Sequence, residues 1–207
     1  MTLATHLRPR SRPSSAQGDV TAPLPGGGEV RLRPLRHGES APLEAVFAGM
    51  SGEAREQRYL TGLRRLPTPM VAALTDVDGH RHVAWTAALG GRPVGIARYV
   101  LEEPGVAEIA FEVADAYHGA GIGSVLVDAV TTVAAAQGVR RLRALVQPGN
   151  QPSVRLLGRI GIRLTVVDGV LEGEGPLRLL DPPRLDRAAV VDLARTTTWR
   201  IPPGVVG

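Results

Sequence analysis

The chain predicts one mixed α/β domain of the α+β kind, with helices flanking a largely antiparallel sheet. Three observations carry this. The run HVAWTAAL, the Gly90-Gly91 pair and the run RPVGIARYVL read as two strands joined by a tight turn. VAEIAFEV follows them directly as a further strand, so the front half does not alternate strand with helix. Behind it, Gly121 to Gln137 repeats apolar residues at spacings of three, four and seven: Ile122, Val125, Leu126, Ala129, Val130, Val133 and Ala134. That stripe is the signature of an amphipathic helix lying on a sheet.

The other elements follow in order. Residues 1–28 are rich in Pro, Ser and Gly and lack an apolar period, which predicts a flexible N-terminal arm ending in Gly26-Gly27-Gly28. VRLRPL alternates and reads as the first strand. Ser40 can cap a helix running through Phe47, with Pro42 tolerated in its first turn. SGEAREQRYL reads as a second, more polar helix capped by Ser51. VRRLRALVQ is a fifth strand. Asn150 opens a helix that places Ser153, Leu156, Leu157 and Ile160 on one face and stops at Gly161. LTVVDGVLEGEGPLRL can form a final strand pair, and a short helix near Arg187 to Arg195 lies in a less regular tail. The domain is expected over residues 29–180, with 181–207 as the tail. The order β-α-α-β-β-β-α-β-α-β-β excludes a doubly wound sheet.

Composition removes several chemistries. The chain has 207 residues and no cysteine, so disulfides, thiolate nucleophiles and cysteine-ligated zinc are absent. No run of 18 apolar residues exists to cross a membrane, and the start lacks the apolar core of a signal peptide, so a cytoplasmic location is expected. The net charge is +4, yet all 24 basic residues are arginine, scattered rather than striped and not interleaved with the seven aromatics. This argues against a dedicated nucleic-acid binder. His80 and His82 near Asp76 and Asp78 sit in a turn-rich stretch before a strand, and no metal site is expected. A Ser-His-Asp triad lacks a nucleophile elbow.

The segment AYHGAGIGSVL joins a strand to the long helix. Curled backbone amides at a helix N-terminus suit a phosphate, and glycines let a pyrophosphate approach closely. A Rossmann loop starting at Gly119 needs glycine at 124, which is Ser124. A Walker A loop needs a lysine, and the chain has none. A tight strand-to-helix turn is the plain alternative. Twenty-seven residues beyond Gly123 comes NQPSVRLLGRIGI, which begins at the single asparagine of the chain.

Together these segments resemble the GNAT superfamily of acyl-CoA-dependent N-acyltransferases. Gly121 and Gly123 match its loop, Gln/Arg-x-x-Gly-x-Gly/Ala. Asn150, Ser153, Leu156 and Gly161 match its later motif, with Ile162 in the phenylalanine place. The similarity covers roughly residues 29–180. AEIAFEVADAYHGAGIG and RLRPLRHGESAPLEAVFAGMSGEAREQRYL are further similar to bacterial protein-lysine acetyltransferases of this kind.

The resemblance implies a six- to seven-stranded sheet whose fourth and fifth strands splay apart around acetyl-CoA, the co-substrate. It puts the backbone of Phe111 and Val113 on pantetheine and the amides of Gly119, Ala120, Gly121, Ile122, Gly123 and Ser124 on the pyrophosphate. Asn150, with Ser153 beside it, falls near the thiol end, or serves as a helix N-cap. His118 replaces the family's glutamine or arginine, as a donor to the cofactor or as a turn residue. The implied reaction moves acetyl to a primary amine, on a protein lysine or a small molecule. An ammonium must lose a proton first, so a base is needed. The similar enzymes place a glutamate at the position of Glu108, with Glu112 the second choice. With no bulge between them, both lie on one strand face. Either glutamate could instead simply solvate that face. Leu157 stands where the family often has a proton-donating tyrosine, which leaves a non-catalytic acyl-CoA-binding module as an alternative. Tyr59 and Tyr117 are possible replacements without spacing support. Arg55, Arg58, Arg64 and Arg65 form a solvated helix face or one that meets an acidic protein. The last strands and the tail could support a homodimer.

Overall fold

A computed structural model of the chain describes residues 18–59 and 62–197. The sheet-forming elements are β1 (Val20–Pro23), β2 (Glu29–Pro34), β3 (His82–Leu89), β4 (Arg92–Glu103), β5 (Val106–Val113), β6 (Arg141–Val146), β7 (Arg163–Val167) and β8 (Val170–Pro176). They build one eight-stranded sheet in the order β1-β2-β3-β4-β5-β6-β8-β7. Every neighbouring pair is antiparallel except β5 and β6, which run parallel. The helices are α1 (Ala41–Ala48), α2 (Gly52–Tyr59), α3 (Thr68–Thr75), α4 (Ile122–Ala136), α5 (Gln151–Arg159) and α6 (Arg187–Thr196).

The α+β class and the splayed sheet are as expected; the strand number is eight rather than six or seven. The extra strand is β1, which lies inside the segment expected to be a free arm. Its Val20 and Ala22 alternate inward and are buried, and that burial holds so short an edge strand against β2. The far boundary moves outward too. Beyond residue 180, α6 packs on α4, and Asp128, fully buried on α4, accepts hydrogen bonds from the Arg187 guanidinium (Nε at 3.0 Å) and the Arg184 amide (2.6 Å). The rest of the expected arm, residues 1–17, and the tail from 198 lie outside the described residues.

Two layers cover the sheet. On one side α4 buries Ile122, Val125, Leu126, Ala129, Val130 and Val133 against β3, β4 and β5, completing the main core with Trp85, Tyr99 and Leu142. On the other side α1 packs Leu43 and Val46 on Ile96 of β4, with Leu66, Val71 and Leu74 from the α3 region closing the cluster. The helix α3 is absent from the sequence expectation, because TPMVAALT is too short to declare a period. By contrast α2 buries no residue completely and is fastened by polar contacts. Ser51 caps it through the Ala54 amide at 3.1 Å, as expected.

Candidate active site

The site begins where β5 and β6 part. Their pairing covers only Val106↔Arg141, Ala107↔Leu142 and Glu108↔Arg143; beyond it β5 continues to Val113 and β6 to Val146 unpaired with each other. At the closed end Arg143 spans the strands, with Nη1 3.0 Å from Glu102, Nη2 3.1 Å from Glu103 and Nε 3.0 Å from Glu174. The open end is a fork between two parallel strands.

Alternation tells which backbone groups line the fork. The Ala114 amide donates to Val94 of β4 at 2.9 Å, and β4 pairs regularly with β5 from Gly95↔Val113 to Val100↔Glu108. The backbone groups of Glu112, Ala110 and Glu108 therefore also turn to β4, while those of Ile109, Phe111 and Val113 turn into the fork. Phe111 and Val113 thus present backbone groups to the fork. One group is already engaged: His118 Nε2 lies 2.9 Å from the Val113 carbonyl, so that nitrogen carries the ring proton. The His118 side chain thus fastens the loop to its strand.

The loop itself climbs from β5 through a short 3-10 turn at Asp115–Tyr117 into α4. Gly121 is the α4 N-cap at φ +89°, a conformation that favours glycine, and a Cβ there would stand 2.9 Å from Pro25 Cδ in the β1–β2 turn. Gly121 offers no capping side chain, so the amides of Ile122, Gly123 and Ser124 have no intrahelical acceptor. They face outward with the helix dipole behind them, a fit for a pyrophosphate.

Asn150 leaves the same end of β6. Its Oδ1 accepts from the Ser153 amide at 3.2 Å, so the N-cap reading holds, while its NH₂ group remains a free donor. Because β5 and β6 are parallel, their following loops meet at one edge, and a Cβ on Gly123 would lie 3.8 Å from Leu156 of α5. The fork edge, the glycine loop and Asn150 with Ser153 are thus brought together. Gly161 closes α5 at φ +98°, and a Cβ there would meet the Pro176 carbonyl oxygen at 2.1 Å, so this motif position serves packing. Leu157 is buried in the main core.

The two glutamates share one face of β5 with no bulge between them, but their surroundings differ. Glu108 is exposed beside the closed end of the fork. Partial desolvation and the neighbouring Glu102 raise its carboxyl above the ordinary range, against the opposing charge of Arg58. Glu112 is buried between two guanidiniums: Arg58 Nε lies 2.5 Å from Oε2, and Arg98 Nη2 lies 3.6 Å from Oε1. Glu112 thus serves as the counter-ion of both arginines, whereas Glu108 stays exposed. Arg58 leaves the solvated face on which it was expected. Tyr59 completes this cluster; burial and the Glu112 charge push its hydroxyl up, so it holds its proton. Arg98 and Asp115 lay beyond sequence reasoning, because nothing in their spacing signals a partner. Asp115 ties the glycine loop to α2 by accepting from the Ser51 amide at 3.0 Å.

The histidine-aspartate stretch at 76–82 is a turn. Asp78 Oδ1 accepts from the amides of His80, Arg81 and His82 at 2.7–2.9 Å; burial opposes its charge, yet these amides hold it below the usual carboxylate range. Among the described residues no group of three or more His, Asp or Glu is arranged to hold a metal, and no helix is long and apolar enough to cross a membrane.

Residues 52–162 match the acetyltransferase (GNAT) family. The acetyltransferase Pat of Mycolicibacterium smegmatis is 32% identical over 137 residues, covering 63% of this chain and 40% of that protein. Acetyltransferase PA5475 of Pseudomonas aeruginosa is 29% identical over 148 residues, covering 68% and 80%. Among solved structures, the GNAT domain of S. lividans PAT superposes with a TM-score of 0.71 at 28% identity, over 79% of this chain and 99% of that one. The chain thus spans less than half of the mycobacterial Pat but nearly the whole of the streptomycete GNAT domain. The family match covers more than half of the chain and includes the fork, the glycine loop and the Asn150 helix, and the chain belongs to the GNAT acetyltransferase family.

Proposed function

We propose that this acetyltransferase moves an acetyl group from acetyl-CoA to a primary amine of a protein lysine, with Glu108 as the general base. The observation that carries the reading is the fork: its unpaired β5 edge leads directly to free amides at the α4 N-terminus. Phe111 and the Val113 amide would hold pantetheine, residues 119–124 the pyrophosphate, and the Asn150 NH₂ group, beside Ser153, the thiol end. Bound there, acetyl-CoA supplies a thioester carbonyl. The neutral amine would attack that carbon, the C–S bond would break, and CoA would leave as a thiolate that takes a proton from water. Glu108, exposed and raised, takes the amine proton directly or through water, and a fork-facing β5 amide polarises the carbonyl.

The lysine preference rests on likeness to Pat, whose name says only acetyltransferase. Thiol release from acetyl-CoA should therefore be measured with lysine peptides and small amines side by side. Faster turnover on peptides supports the reading, and turnover confined to small amines replaces it. One observation favours a second reading, a non-catalytic acyl-CoA-binding module: Leu157 is buried and has no proton to donate to a departing thiolate. Tight CoA binding without release on any acceptor would establish that module.

A further inference from the structure

A cavity of about 370 Å³ opens between α1, the end of α2 and the start of α3. Its floor is apolar, made by Phe47, Leu66 and Val71. Its rim carries Arg55, Arg64 and Arg65 against one carboxylate, Glu44. None of the three arginines has an ion-pair partner among the described residues. Arg55 is fixed in place: it stacks 4.3 Å over the Phe47 ring and donates to the Phe47 carbonyl at 3.2 Å and the Arg64 carbonyl at 3.3 Å. Those bonds hold the Arg64-Arg65 segment against the cavity while both of its side chains stay exposed. A half-apolar hollow with surplus positive charge suits a side chain that has a short methylene stem and a carboxylate head.

The helix α2 links this cavity to the candidate active site, with Arg55 lining the one and Arg58 paired to Glu112 in the other. Arg55 precedes Arg58 by one turn of α2, and Arg58 senses both Glu108 and Glu112. Phe47 of the floor meets Tyr59 edge-on, with ring centroids 5.6 Å apart. Both belong to the helical layer on the face of β5 that carries Glu108.

We infer that this cavity is an acceptor-selecting subsite that takes an acidic residue, glutamate or aspartate, flanking the lysine to be acetylated. The inference rests on the protein-lysine reading above. Arg64 and Arg65 give the carboxylate its charge complement, Arg55 aligns it, and the floor packs its methylenes. Glu44 repels a second acidic group, which limits the subsite to one.

The test uses fluorescein-labelled lysine peptides that differ only in one flanking residue, Glu, Gln or Arg, binding to the full chain in saturating CoA. Anisotropy reads binding whether or not turnover occurs, and thiol release from acetyl-CoA is measured in parallel. The Glu peptide should bind at least tenfold tighter than the Gln peptide at low salt. That margin should collapse in R64Q/R65Q, whose melting temperature should match the parent because both residues are exposed. Equal binding of the Glu and Gln peptides, or a margin that survives R64Q/R65Q, overturns the inference. An acidic preference without acetyl transfer to any peptide would keep the subsite and overturn the catalytic reading alone.

Discussion

Arg58 Nε lies 2.5 Å from Glu112 Oε2, and this contact joins the polar helix α2 to the strand that carries the candidate base. The Glu112 side chain is almost wholly buried, and Arg98 shares it from below. Replacing Glu112 by Gln leaves two guanidiniums without a counter-ion, which should cost about 3 kcal/mol of stability. Glu108→Gln changes an exposed carboxylate and should stay within about 0.5 kcal/mol of the parent. Urea denaturation of both variants checks the contrast, and equal losses would deny the division of roles.

Gly121 meets two constraints at once, its φ of +89° and the Pro25 ring against which any Cβ would press. Gly121→Ala should therefore destabilise the fold by about 1–2 kcal/mol and displace the first-turn amides. Calorimetric titration with CoA should show at least a tenfold weaker complex. Unchanged affinity would place the pyrophosphate elsewhere.

Asn150 has one role shown by the structure, the cap, and one proposed for it, the cofactor contact. Its Oδ1 caps α5, and its NH₂ is free for the cofactor. Asn150→Ala should lose about 1 kcal/mol from the cap. Asn150→Asp keeps the capping acceptor and removes the donor, so it should hold stability while weakening CoA binding several-fold. If Asp binds CoA as well as Asn, the residue is a cap alone.

The buried Asp128 anchors the C-terminal helix through Arg187 and the Arg184 amide. Asp128→Ala should cost about 3 kcal/mol, with α6 amides exchanging hydrogen faster than those of the sheet. Protection that remains in α6 would show that its apolar contacts suffice.

Elements with a strong period or a distinctive cap were legible in the sequence: the α4 stripe, the β3–β4 hairpin at Gly90-Gly91, Ser51 and Asn150. The glycine loop was legible because a strand-to-helix turn with left-handed backbone at its helix cap needs glycines, and these mark the local sequence. Val20–Pro23 was not, since a four-residue edge strand flanked by proline and glycine carries no pattern of its own and forms only because β2 receives it. Nor was the fate of Glu112. Strand alternation puts it on the face of Glu108, but only the tertiary approach of Arg58 and Arg98 decides that one carboxylate is buried and neutralised while the other is free. Arg58 itself sits on the same polar helix as Arg55, and nothing local separates the arginine that reaches a buried carboxylate from the one that does not.

The central claim is that Glu108 accepts the amine proton. Its carboxyl is raised by desolvation and by Glu102. The protonated form cannot act as a base, so the rate should fall on the acid side as pH drops through that raised value. The stability linkage has the opposite sense: the folded state holds this proton more tightly, so the contribution favours folding at low pH and is lost as pH rises through the folded pKa. The direct measurement is the pH profile of acetyl transfer, as kcat/KM for the amine, in the parent and in Glu108→Gln. The account predicts a drop of about 10²–10⁴-fold and disappearance of the acid limb assigned to Glu108. Undiminished turnover with the same acid limb in Glu108→Gln would contradict it.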